Sequence, residues 1–150
     1  MLKGGLVHPQ ILEVLGRSGH GSKVLIADGN YPYATTLGPR ATLVNLNLSP
    51  GVVDCTAVLE ALVWAMPIEA AWVMDYARSG PYGLDEDPAI WANFRSILDQ
   101  GGQGVDLEPI EQFEFYRTTA QGDVSLTIAT GDQRLYANLL LRIGVVRPDQ

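Results

Sequence analysis

"GRSGHGSKVLIADGNYP", residues 16–32, is the stretch on which the fold turns. "KVLIAD" is short and continuously apolar until it ends in Asp28, the pattern of a parallel strand buried on both faces. Ahead of it come Gly16, Gly19 and Gly21, with His20 between the last two. Upstream, Pro9 suits the first helical position and leaves His8 as the capping residue, while Ile11, Leu12 and Leu15 face a core. The order is therefore helix, glycine-rich stop at Gly16 and Gly19, then strand.

The same alternation continues downstream. "TLVNLNL" (42–48) reads as a second strand, and Asp54 as the cap of a helix whose Cys55, Val58, Leu59, Leu62, Val63 and Met66 recur at helical spacing until Pro67. "AAWVMDY" (70–76) reads as a third strand. Asp87 and Pro88 occupy the cap and first turn of a helix presenting Ile90, Trp91, Phe94, Ile97 and Leu98. Glu108 to Ala120 reads as a weaker helix, "VSLTIAT" (124–130) as a strand and "YANLLLRIGVV" (136–146) as the last strand. Strands alternating with helices predict one α/β domain over residues 1–150, a sandwich around a mostly parallel sheet. In such sheets ligands gather beyond the carboxyl ends of the strands.

Composition excludes several classes of function. With a formal charge of -7 and only ten Lys and Arg, scattered along the chain, there is no basic stripe to follow nucleic acid or an anionic membrane. No apolar run approaches the ~20 residues that span a bilayer, and no secretory leader pattern is present, so a cytoplasmic protein is expected. Cys55, the single cysteine, lies among apolar residues and reads as a buried small hydrophobe. No metal is expected, because His8, His20 and Cys55 are dispersed. Residues 16–23 reverse the strand-to-helix order of a phosphate loop and lack the third glycine of a dinucleotide fingerprint, so no nucleotide cofactor is expected either. A nucleophile elbow is absent. The acidic run at Asp85 to Asp87 is explained by helix capping. Trp64, Trp72, Trp91 and Tyr116 fit core positions better than a sugar-stacking platform.

His20 stands apart because glycine on both sides lets a ligand approach closely. It meets a geometric difficulty, since a strand over 23–27 would put it some ~15 Å from Asp28, at opposite ends of β-structure. One pocket could then hold both only if the chain bends or a neighbouring subunit contributes.

Taken together, the opening through Pro32 and the ending "TGDQRLYANLLLRIGVV" (130–146) resemble the ribose pyranase and fucose mutarotase family. "LGP" (37–39) and "FEFY" (113–116) look more like the fucose branch. The resemblance implies a three-layer α/β/α sandwich, a ring-shaped homo-oligomer, a decamer, with sites at subunit boundaries, a free monosaccharide as substrate and no cofactor. It further implies His20 as the proton donor and Asp28, Tyr136 and Asn138 as sugar contacts. Another family contact, Arg in the fucose branch or His in the ribose branch, falls on Gln112, which can hydrogen-bond a hydroxyl but cannot transfer a proton or pair with a charge. The segment from Ala70 to Gly104 matches weakly.

These residue types suit the opening and reclosing of a cyclic hemiacetal, which needs an acid and a base and no metal. An imidazole exchanges protons near neutrality, a carboxylate accepts from sugar hydroxyls, an amide both donates and accepts, and a phenol can donate or relay a proton. The sequence also leaves open a sugar-binding or regulatory protein without efficient catalysis, motivated by Gln112, and a nucleotide-binding α/β domain, for which no phosphate motif is found. Period-2 spacing of Tyr136 and Asn138 is equally compatible with a strand pair at a sheet edge.

Overall fold

The computed structural model describes residues 1–148. Its elements run α1 (Pro9–Arg17), β1 (Lys23–Ala27), β2 (Thr42–Asn45), α2 (Cys55–Leu62), β3 (Ile68–Met74), α3 (Ala89–Gln100), β4 (Leu107–Ile110), α4 (Gln112–Thr119), β5 (Val124–Ala129) and β6 (Leu139–Ile143). All six strands form one sheet in the order β2-β5-β1-β6-β3-β4. Five point the same way and β6 alone runs against both of its neighbours, β1 and β3.

The layers follow from which side chains each face carries. Val24, Ile26, Leu126, Ile128, Leu139 and Leu141 face α1, α2 and α3 in the larger core. Leu25, Ala27, Met74 and Leu140 face the other way, toward Phe115 of α4 and Tyr31. The result is the expected α/β/α sandwich, thick on one side and closed on the other by a single helix and the chain after β1. Phe115, fully buried, is the main anchor of that thin layer, and burying such a ring is worth about 2–3 kcal/mol.

Local signals explain most elements. The His8 side chain accepts from the Ile11 N–H and Pro9 begins α1; Asp54 accepts from the Ala57 N–H to start α2. Cys55 is buried beside Thr130, and that burial pushes its thiol well above the ordinary range.

Several expectations are corrected. Residues 107–110 are not the start of a helix but an edge strand, β4, which can hold Pro109 because an edge leaves one side unpaired. The cap position of α3 is Pro88, with no side-chain cap, and Asp87 instead lies 3.8 Å from Arg95. Tyr136 and Asn138 precede β6 rather than belonging to it, and β6 is central, not an edge. Trp64 lies just beyond α2, after the cap Val63, and is 73% exposed, whereas Trp91 is in the core.

Candidate functional site

The reversed direction of β6 brings distant residues together. Residues leading into β6 lie at the same end of the sheet as residues leaving β1 and β3. There, beyond the carboxyl ends of the parallel strands, opens a cleft of about 570 Å³. Asp28, Asn30 and Tyr31 enter it after β1, Gln112 and Tyr116 from α4, and Tyr136 and Asn138 ahead of β6. Ala77, Ser79, Pro81 and Tyr82, from the loop between β3 and α3, complete it. Four of the five site residues expected from the sequence, Asp28, Gln112, Tyr136 and Asn138, therefore share one cleft.

Asp28 is its chemical centre. Its backbone N–H donates to Asn138 Oδ1 at 2.8 Å, its Oδ2 accepts from Asn138 Nδ2 at 2.9 Å, and its Oδ1 accepts from the Asn30 N–H at 2.9 Å. Asp28 and Asn138 are each 4% exposed. Burial pushes the Asp28 carboxyl up to about 6, against the lowering effect of the backbone N–H groups of Asn30 and Tyr31, and the nearby Asp132 adds to the rise. Asp132 shows the contrast. Burial raises it too, but the Arg134 guanidinium and the N–H of Cys55 hold it below the ordinary carboxylate range.

Phenols form the floor. Gln112 Nε2 donates to the Tyr116 hydroxyl at 3.4 Å, and the Tyr116 ring lies 5.5 Å from Tyr31, whose hydroxyl bonds Thr119. Tyr116, read from sequence as core, is half-buried and lines the cleft. The Tyr136 hydroxyl donates to the Tyr82 carbonyl at 2.9 Å and accepts from the Ala77 N–H at 3.1 Å. The hydroxyl thus meets the backbone of the loop between β3 and α3 both as donor and as acceptor.

His20 lies at the other end of β1, in a separate cleft with Arg17, Arg40 and Asp123. The strand between them is extended, so the separation expected from strand rise is found within this chain. Gly21, with φ +85, makes the turn, and its N–H donates to the Ile143 carbonyl. The His20 Nε2 sits 3.0 and 2.9 Å from the two carboxylate oxygens of Glu69, which also lies 2.7 Å from Arg142 Nε. This contact holds the orientation of the His20 ring against Glu69.

Sequence reasoning missed Asn30, Tyr31 and the loop residues 77–82. Tyr31 carried a readable signal, being an aromatic residue three positions after the strand-ending aspartate. The loop carried none, because irregular backbone has no periodicity.

A sheet of five like-directed strands and one reversed strand, with a carboxylate, amides and phenols gathered at its carboxyl end, defines an α/β protein whose cleft is rich in hydrogen-bonding groups. The chain belongs to the RbsD / FucU transport protein family, whose profile matches residues 1–146. It is 32% identical to the fucose mutarotase of Homo sapiens over 154 residues, covering 97% of this chain and 94% of that one. It is 28% identical to the D-ribose pyranase of Geobacillus kaustophilus over 145 residues, covering 97% and 95%. The crystal structure of the fucose mutarotase of Streptococcus pneumoniae in complex with L-fucose superposes with a TM-score of 0.77 at 26% identity, covering 94% of this chain and 95% of that one.

Proposed function

We propose that the protein is a single-domain monosaccharide mutarotase that opens and recloses the hemiacetal ring of a free sugar such as L-fucose or D-ribose. The observation that carries this reading is the convergence of Asp28, Gln112, Tyr136 and Asn138 on one cleft in a chain of this family. The ionised Asp28 accepts from sugar hydroxyls, and the free capacity of Gln112 and Asn138 orients the ring.

In the reaction the anomeric O–H loses its proton, the bond between the anomeric carbon and the ring oxygen breaks, and the ring oxygen gains a proton. Rotation of the open-chain aldehyde and the reverse steps give the other ring form. His20 is the proton-transfer residue in this proposal, and a positioned acid-base group of this kind contributes about 10²- to 10⁴-fold. Because His20 and Asp28 occupy opposite ends of β1, the site is completed by His20 of an adjacent copy. A ring-shaped homo-oligomer, a decamer, supplies that copy. Cytoplasmic residence belongs to the same proposal.

Saturation-transfer NMR of anomer exchange, across fucose, ribose, galactose and glucose, tests the reading with wild type and His20→Ala. Exchange accelerated for one sugar and lost in the variant is expected. A second reading, a sugar-binding protein without efficient catalysis, is favoured by Gln112, which is neutral and already donates to Tyr116. Binding of a sugar without faster exchange would establish it instead.

A further inference from the structure

We propose that Asp132 and Arg134, which lie outside the lining of the cleft, act on Asp28 as a positioning unit: Asp132, held in a turn packed against the chain that carries Asp28, sets a negative charge against it, and Arg134 limits that charge. This rests on the reading of the cleft as the monosaccharide site. Asp132 is 2% exposed, and donors meet both of its carboxylate oxygens. Oδ1 accepts from the Arg134 N–H at 3.0 Å and from Arg134 Nε at 2.9 Å. Oδ2 accepts from Arg134 Nη2 and, at 2.9 Å, from the N–H of Cys55, the first residue of α2.

The turn grips the chain on both sides of Asp28. The Asp132 carbonyl accepts from the Gly29 N–H at 2.8 Å, while the N–H and hydroxyl of Thr130 both donate to the Ala27 carbonyl. The turn has no room to shift, because a Cβ on Gly131 would run into the carbonyl oxygens of Ser49 and Val52. The charges around Asp28 are equally defined. Tyr31 after β1, Gln112 and Tyr116 of α4, and Tyr136 and Asn138 ahead of β6 bring phenols and amides to its cleft, and α2 brings the Cys55 thiol. Charge comes from Asp132, from Arg134 and from Asp54, 3.7 Å from the guanidinium. Repulsion from an ionised Asp132 favours the protonated form of Asp28 and adds to the rise that burial causes. Arg134, bonded to both oxygens of Asp132, limits that repulsion.

Asp132→Asn keeps the shape and removes the charge. Carboxyl-carbon NMR should then place the Asp28 midpoint about one unit below that of wild type. For a sugar that the protein turns over, KM should fall about fivefold at about pH 5 and stay unchanged at about pH 8, because the extra ionised Asp28 exists only at the lower pH. Arg134→Gln acts with the opposite sign: the last proton shared by Asp28 and Asp132 should be lost about one unit higher, and Arg134→Lys should restore the wild-type value. A KM raised equally at both pH values in Asp132→Asn, or midpoints that move the same way or not at all in Asp132→Asn and Arg134→Gln, would reduce the pair to scaffolding and overturn the proposal. Should Asp132→Asn fail to fold, Arg134→Gln, at a side chain 41% exposed, decides by its midpoint: a higher value supports the proposal, an unmoved or lower one overturns it. If the wild type turns over no sugar, the mutarotase reading falls, while the two midpoints still decide whether the pair acts on Asp28.

Discussion

Asp28 and Asn138, 110 positions apart in sequence, clasp each other through two hydrogen bonds, backbone N–H to Oδ1 at 2.8 Å and Nδ2 to Oδ2 at 2.9 Å. The clasp joins the end of β1 to the start of β6 and uses both halves of one amide, which no other side chain of that size supplies. Asn138→Ala leaves a buried N–H and a carboxylate oxygen without partners, a loss of about 2 kcal/mol. We expect urea unfolding to show that loss. We also expect kcat/KM to fall about 10²-fold, the scale of a misplaced catalytic group. Unchanged stability would mean that water replaces both bonds.

The pH dependence of Asp28 has a definite sign. Its carboxyl is raised by burial from 3.8 to about 6. The folded protein therefore holds this proton more tightly than the unfolded chain. The stability contributed by the protonated form is fully present below about pH 4 and is lost as pH rises to about 6, by up to about 3 kcal/mol before solvent relaxation is counted. Sugar binding moves the other way, strengthening as pH rises through about 6 and the carboxylate forms. Carboxyl-carbon NMR, with the resonance assigned by its absence in Asp28→Asn, should titrate with a midpoint near 6; a midpoint near the ordinary aspartate value would contradict this.

Much of this architecture is legible in sequence because it is written in local chemistry. "KVLIA" is uniformly apolar since both faces of β1 are covered, and Asp54 and His8 announce helix starts through short side chains that reach the first turn. What escapes is non-local or irregular. β4 is four residues long, contains a proline and exists because β3 offers an edge beside it, which no window of sequence displays. Tyr136 looks like a strand residue by spacing, yet takes a left-handed turn imposed by α3 and the loop after β3. Of the residues named from family likeness, Asp28, Gln112, Tyr136 and Asn138 line one cleft, and His20 lies at the far end of β1, the separation that strand geometry foretold.

Gln112 is where this chain departs from the family pattern, and the departure can be reversed. The side chain shares the cleft with Asp28 and donates to Tyr116, so that its carbonyl can accept from a sugar hydroxyl. Gln112→Arg would put a permanent cation near the carboxylate, lowering the Asp28 midpoint by about one unit. If the substrate is fucose-like, KM for L-fucose should fall several-fold. A KM that rises, with the same sugar still preferred, would indicate that the neutral amide is the better partner for this chain's own substrate.

The separation of His20 from Asp28 leads to the sharpest prediction. Suppose that each site takes its histidine from one copy and its carboxylate from the next around a ring. His20→Ala and Asp28→Asn would then each abolish anomer exchange alone, yet restore it when the two chains are co-expressed and assemble together. In equal random mixture, a working site needs an Asp28 variant supplying His20 beside a His20 variant supplying Asp28, so about one quarter of sites regain both groups, as a heterologous ring contact requires. If both groups act within one chain, no mixture contains a complete site and exchange stays at the background of the single variants. Light scattering on the same samples supplies the companion check, because a mass near the 16.3 kDa of one chain is incompatible with any shared site. Recovery to about a quarter of wild-type exchange would assign His20 to a site whose other half lies at the far end of the neighbouring copy's sheet.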